Sequence, residues 1–115
     1  MKPPSADGTW WSAEHRFSLE EPTAAGHFPG DPIIPGALLL DHVLRAIGRQ
    51  APMTMPLEIQ AAKFRRPVRP GDEITIRWRP QPSGAVMFEC WVAGRAEMAP
   101  EEMALSGSVK ARQVP

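Results

Sequence analysis

With 115 residues, 43% of them hydrophobic and 23% charged, the chain suffices for one core and is too apolar for intrinsic disorder. Thirteen basic side chains balance thirteen acidic ones, so the basic excess of a nucleic-acid binder is missing. One cysteine, Cys90, excludes an internal disulfide and fits a reducing compartment, and no apolar run has the length of a membrane span, so a cytoplasmic protein is expected.

A single domain is expected over residues 1–115, with residues 1–9 as a loose lead-in that lacks the apolar run of a signal peptide. From Trp10 to Glu20 the chain alternates, with Trp11, Ala13, His15, Phe17 and Leu19 on one side, which predicts a half-buried strand. A loop rich in proline and glycine follows, from about Glu21 to Pro35. The spacing then predicts a helix over Gly36–Gln50, introduced by Pro35 and followed by Pro52. Leu38, Leu39, Leu40, Val43, Leu44, Ala46 and Ile47 cover most of its circumference and leave His42, Arg45 and Arg49 a narrow polar arc. A helix apolar over so much of its surface is expected to be wrapped by other structure.

Four further strands are predicted. Leu57–Arg65 carries Leu57, Ile59 and Ala61 on one face; Glu73–Arg79 points Ile74, Ile76 and Trp78 inward. After a turn at Pro80–Gly84, Ala85–Ala93 sets Val86, Phe88, Cys90 and Val92 against Met87, Glu89 and Trp91. The last strand, near Glu102–Ala111, aligns Met103, Leu105 and Val109. Short connections favour antiparallel neighbours. The order implies an α+β hotdog architecture, an antiparallel sheet curled around one hydrophobic helix.

The chemistry concentrates in Gly26-His27-Phe28-Pro29-Gly30-Asp31-Pro32-Ile33-Ile34-Pro35-Gly36, with Asp41 following fourteen residues after the histidine. Proline fixes φ and glycine admits conformations other residues avoid, so the backbone around His27 has few shapes open to it. An imidazole titrates near pH 6.5 when unperturbed and accepts a proton at neutral pH. Gly36 opens the predicted helix, where a backbone N–H lacks an intrahelical acceptor and the helix dipole is positive. Asp41 also has a plain reading, as the partner of Arg45 four residues on in a surface ion pair. His42 reads as a solvated helix residue and His15 as a satisfied core histidine. No residues show metal-site spacing, and no metal or cofactor is expected.

The pattern His-Phe-Pro-Gly-x-Pro-x-x-Pro-Gly followed by a carboxylate closely resembles the bacterial 3-hydroxyacyl-acyl-carrier-protein dehydratases. Lys63-Phe64-Arg65-Arg66-Pro67-Val68-Arg69-Pro70-Gly71-Asp72 resembles a second segment of the same enzymes. The resemblance implies loss of water from a 3-hydroxyacyl thioester to give a trans-2-enoyl thioester. His27 would be the base and Asp41 the acid, with Gly36, Phe28 and Pro35 around the substrate. It further implies a homodimer whose shared sites take histidine and acid from different subunits, with assembly beyond the dimer open. The thioester would ride on acyl carrier protein or coenzyme A; Lys63, Arg65, Arg66 and Arg69 read by default as a solvated edge, and an acidic carrier would suit them as a docking surface. No nucleic acid or membrane partner is implied.

Some features depart from the family pattern. The chain is shorter than a typical member, has no tyrosine, and carries Arg45 where the shorter-loop branch usually has glutamine. Asp at position 41, as in the dehydratase/isomerase branch, leaves double-bond isomerisation open. A hotdog thioesterase and a non-catalytic acyl-binding partner of another dehydratase are the rival readings.

Overall fold

The structure, a computed structural model, describes residues 10–19, 33–50, 57–93 and 101–111. Its elements are β1 (Trp11–Arg16), α1 (Gly36–Gln50), β2 (Leu57–Phe64), β3 (Glu73–Pro80), β4 (Val86–Val92) and β5 (Glu102–Ala111). The strands form one five-stranded sheet in the order β1-β3-β4-β5-β2, and every neighbouring pair is antiparallel. The expected architecture is therefore found, with β1 and β2 at the two edges.

Period-two alternation accounts for the centre of the sheet. Ile74, Ile76 and Trp78 of β3 and Val86, Phe88, Cys90 and Val92 of β4 are all buried, and they meet Leu39, Val43, Ala46 and Ile47 of α1 in one core. The turn between β3 and β4 forms as its sequence predicts. Gly84 adopts φ 91°, its N–H donates to the Gln81 carbonyl at 3.0 Å, and Gln81 N–H donates to the Ala85 carbonyl at 2.8 Å.

The structure corrects the reading of β1 at its end. The ladder with β3 stops at the Arg16–Glu73 pair; Phe17 N–H then donates to the Asp72 carbonyl and the Phe17 carbonyl accepts from Gly71 N–H. Phe17 stays buried, but the chain turns and Leu19, placed on the core face by alternation, is 81% exposed. It lies across Gly71, whose φ of 87° favours glycine and where a Cβ would come 2.5 Å from Leu19 Cδ2.

Two β-bulges correct the reading of β2 and β5. Between Ile59 and Ala61 the register slips by one, so Ile59 faces Val109 while Ala61 faces Ser108. One extra residue reverses which side chains point inward. Ala62 and Phe64 thus continue the Leu57/Ile59 face, and Ala61 falls on the other. In β5 the slip opposite Cys90/Trp91 pairs Met103 with the outward Trp91, so Met103 does not share a face with Leu105 and Val109. Gly107 permits the first irregularity: a Cβ there would stand 2.1 Å from the Ala61 carbonyl oxygen and 2.7 Å from the Phe88 ring.

The helix is not enclosed by the described residues. Its buried stripe is Leu39, Val43, Ala46 and Ile47, whereas Leu38, Leu40 and Leu44 are only partly buried and Ala37, Asp41, Arg45 and Arg49 are exposed. A sheet of five strands offers a single concave face, which covers one side of a helix. His42 is likewise no solvated residue. It is half-buried, its ring stacked on His15 with centroids 4.5 Å apart, and the buried Phe17 ring meets both imidazoles edge-on.

Candidate functional site

The two motifs that stand far apart in the sequence converge at the start of α1. Ile34 N–H donates to the Val68 carbonyl at 2.7 Å, which ties the end of the first motif to the middle of the second. Arg65 N–H donates to the Ala104 carbonyl at 2.7 Å and fixes the second motif to β5. The Pro70-Gly71-Asp72 corner is closed by the buried Asp72, whose carboxylate accepts the Arg69 N–H at 2.7 Å while its own N–H donates to the Arg69 carbonyl. Asp72 is therefore a structural carboxylate that holds the segment in shape.

Between the motifs lies an apolar cavity of about 340 Å³, whose walls include Gly36, Leu39, Phe64, Arg65, Arg66 and Val68. Pro35 starts the helix by accepting the Leu39 N–H at 3.0 Å. Gly36, the first helical residue, sits at the cavity edge with its backbone N–H outside the intrahelical ladder. A Cβ on Gly36 would approach Phe64 Cε1 to 2.9 Å. The absence of a side chain therefore lets a phenyl ring lie against the helix start. The sequence did not single out Phe64 as a site residue. Only the β-bulge, which turns its side chain to the helix side, brings it here.

Asp41 lies elsewhere on the same helix. At about 100° per residue, five residues carry it about 140° around the axis from Gly36. Asp41 is exposed and accepts a 2.7 Å hydrogen bond from Arg45 Nε, which is the plain ion-pair reading of the sequence. One chain thus does not bring Asp41 and Gly36 together. His27 and Phe28 lie outside the described residues.

The basic cluster divides. Arg65 and Arg66 line the cavity, and Arg66 pairs with Glu102 at 2.6 Å. Lys63 is exposed and, by alternation from Phe64, points to the opposite face of β2. Arg69 is half-buried and sits in the Asp72 corner. Cys90 is buried, and burial pushes its thiol up to about 12. Among the described residues no cluster of His, Cys, Asp or Glu is arranged to hold a metal ion, and no helix is long and apolar enough to cross a membrane.

Comparison with known proteins adds the family. The chain is 39% identical over 79 residues to the 3-hydroxyacyl-acyl-carrier-protein dehydratase FabZ of Haemophilus influenzae strain PittEE, covering 61% of this chain and 53% of that protein. It is 41% identical over 75 residues to FabZ of Chlamydia trachomatis serovar L2, covering 56% of this chain and 49% of that one. The matched region thus spans about half the length of these curated relatives. Among solved structures, the dehydratase heterocomplex ApeI:P from Xenorhabdus doucetiae superposes with a TM-score of 0.73 at 19% identity, covering 96% of this chain and 97% of that one. The dehydratase domain from the terminal module of the rifamycin polyketide synthase gives 0.76 at 19% identity, covering 96% of this chain and 41% of that one. These structures share the fold. The ApeI-like family model, described as ApeI dehydratase, matches residues 4–102. The chain belongs to the ApeI-like dehydratase family.

Proposed function

We propose that this protein is a dehydratase acting on 3-hydroxyacyl thioesters carried by acyl carrier protein or coenzyme A, with two copies of the chain completing each site. The observation that carries this reading is the junction of the two motifs at the start of α1. There an apolar cavity, the helix-start backbone of Gly36, whose N–H has no intrahelical acceptor, and the residues Arg65 and Arg66 lie side by side. An acyl chain suits the apolar walls, a thioester carbonyl suits the Gly36 N–H, and the basic rim suits the phosphate-bearing arm of the carrier.

In the proposed reaction His27 removes the proton from C2 of the substrate. The electron pair forms the C2–C3 double bond as the C3–O bond breaks. Asp41 of the second subunit gives its proton to the departing hydroxyl, which leaves as water. Proton transfer from the imidazolium back to the carboxylate, directly or through solvent, resets the pair. Charge that builds on the thioester oxygen is held by the Gly36 N–H, a donor fixed in place before the reaction begins. The placement of Gly36 and Asp41 on opposed parts of one helix supports a shared site. So do the edge position of β2 and the exposure there of Ile59 at 46% and Phe64 at 50%. In the shared site Asp41 exchanges its contact with Arg45 for the substrate.

A second reading is favoured by that same Arg45 contact: Asp41 is held as an acceptor, and the ApeI:P relative is a heterocomplex. On this reading the chain is the partner subunit of a different dehydratase. Mass spectrometry of carrier-bound 3-hydroxyacyl substrates separates the two. Loss of one water with the purified chain alone, absent with His27→Ala, supports the enzyme. Water loss only after a second protein is added supports the partner subunit. Release of free carrier thiol without water loss supports a thioesterase.

A further inference from the structure

We propose that Asp72 is a positioning residue for His27, because it builds the corner that holds both ends of the segment carrying that histidine. The kinetic consequence rests on the dehydratase reading; the clamp itself does not. β1 stops pairing with β3 at Arg16, and the next residue, Phe17, donates its N–H to the Asp72 carbonyl at 3.1 Å and accepts the Gly71 N–H at 2.9 Å. On the other side of His27, just before α1 opens, Ile34 N–H donates to the Val68 carbonyl at 2.7 Å. Phe17 and Ile34 are both buried in the core, so each end is held by its side chain as well as its backbone. The chain from 18 to 33, with His27 inside it, thus leaves from and returns to the same short segment, Val68–Asp72.

That segment spans at most about 14 Å, which bounds the distance between the two ends it holds. Pro70 fixes one φ in it, and Gly71 supplies a φ of 87°. Asp72 closes the corner: its carboxylate accepts the Arg69 N–H at 2.7 Å, and its own N–H donates to the Arg69 carbonyl at 3.0 Å. The Arg69 N–H and the Val68 carbonyl belong to one planar peptide group and point in opposite directions. The carboxylate that holds the N–H on one side therefore aims the carbonyl at Ile34 on the other. With its own carbonyl on Phe17, Asp72 governs both attachments at once. It is the one charged side chain buried among the described residues, a placement that costs desolvation and that its hydrogen bonds offset. Asp72 does not line the helix-start cavity, so its effect on the reaction passes through the segment it holds.

The test compares the full chain with Asp72→Ala and with Asp72→Asn, whose amide oxygen can still accept the Arg69 N–H. Amide exchange followed by NMR reads the clamp without any substrate. In Asp72→Ala the Phe17 and Ile34 amides should exchange about tenfold faster or more, while amides in the middle of β3 and β4 keep their rates. Water loss from a carrier-bound 3-hydroxyacyl group, measured well below the melting temperature, should fall about 10- to 100-fold in kcat with KM nearly unchanged, the loss expected of a base displaced by about 1 Å. Asp72→Asn should restore most of both. Faster exchange throughout the sheet, or a loss of turnover no greater than the loss of folded protein, would mean that Asp72 serves stability alone and overturn the proposal. So would Phe17 and Ile34 amides that keep their rates. If Asp72→Ala does not fold, Gly71→Ala strains the same corner, since its Cβ would lie 2.5 Å from Leu19 Cδ2 at a φ of 87°, and carries the same expectations. Release of both amides in a chain that removes no water keeps the clamp and loses the dehydratase reading. Water loss by the unaltered chain that Asp72→Ala leaves untouched does the reverse.

Discussion

Replacing Gly36 by alanine separates chemistry from stability at the helix start. The new Cβ would lie 2.9 Å from Phe64 Cε1, too close for the ring to stay where it is. The obstruction is the outer part of a half-exposed side chain, so it can yield by a modest rotation costing about 0.5–1.5 kcal/mol. Against that, alanine in a helix is favoured over glycine by up to about 1 kcal/mol. The two terms nearly cancel, and the folded protein should keep its stability to within about 1 kcal/mol. The Gly36 N–H, in contrast, becomes crowded by a methyl group on one side and a displaced ring on the other. Loss of one oxyanion donor typically lowers turnover by about 10²–10³. The assays are denaturant unfolding and water loss from a carrier-bound 3-hydroxyacyl group. Unchanged turnover would refute the role of the Gly36 N–H, and a loss of activity matched by a loss of several kcal/mol of stability would refute its separation from folding.

Other substitutions test the frame. Gly107→Ala forces a methyl group into the Ala61 carbonyl and the Phe88 ring, so it should destabilise by about 3 kcal/mol or more in denaturant titrations. Arg45→Gln removes an exposed ion pair and should change stability by less than about 0.5 kcal/mol, while changing turnover measurably if Asp41 enters the site. Because burial raises the Cys90 thiol from 9.0 to about 12, the thiol is neutral in both states below pH 9. Between about 9 and 12 only the unfolded chain loses the proton, so stability should fall as pH rises, and Cys90→Ala should flatten that slope in alkaline unfolding curves.

Much of this molecule was legible in its sequence. The alternation of Ile74, Ile76 and Trp78 with polar residues marks a strand with one buried face, and the apolar spacing through Ile47 marks a helix. Both patterns are local consequences of backbone periodicity. The β-bulges were not legible, because one extra residue leaves alternation intact on either side of it and only resets its phase. Phe64 was missed for that reason, and Ala61 and Met103 were misplaced. Leu19 fits the strand pattern, but strand length is decided by pairing, and the ladder ends at Arg16. His42 occupies the polar arc of its helix, yet the ring finds His15 and Phe17 across the gap to β1, a contact that no one-dimensional pattern contains. Asp41 was legible as an ion pair from its i,i+4 spacing, whereas the site proposed for it would depend on a second chain.

That dependence can be measured directly. His27→Ala and Asp41→Asn chains, each inactive alone, are unfolded together and refolded as mixed dimers. If each site takes its histidine from one copy and its acid from the other, each mixed dimer holds one intact site. Random pairing of the two then restores about a quarter of the unaltered activity, because half the dimers are mixed and each carries one working site of two. No recovery, with subunit mixing verified by native mass spectrometry, would contradict a site shared between copies of this chain.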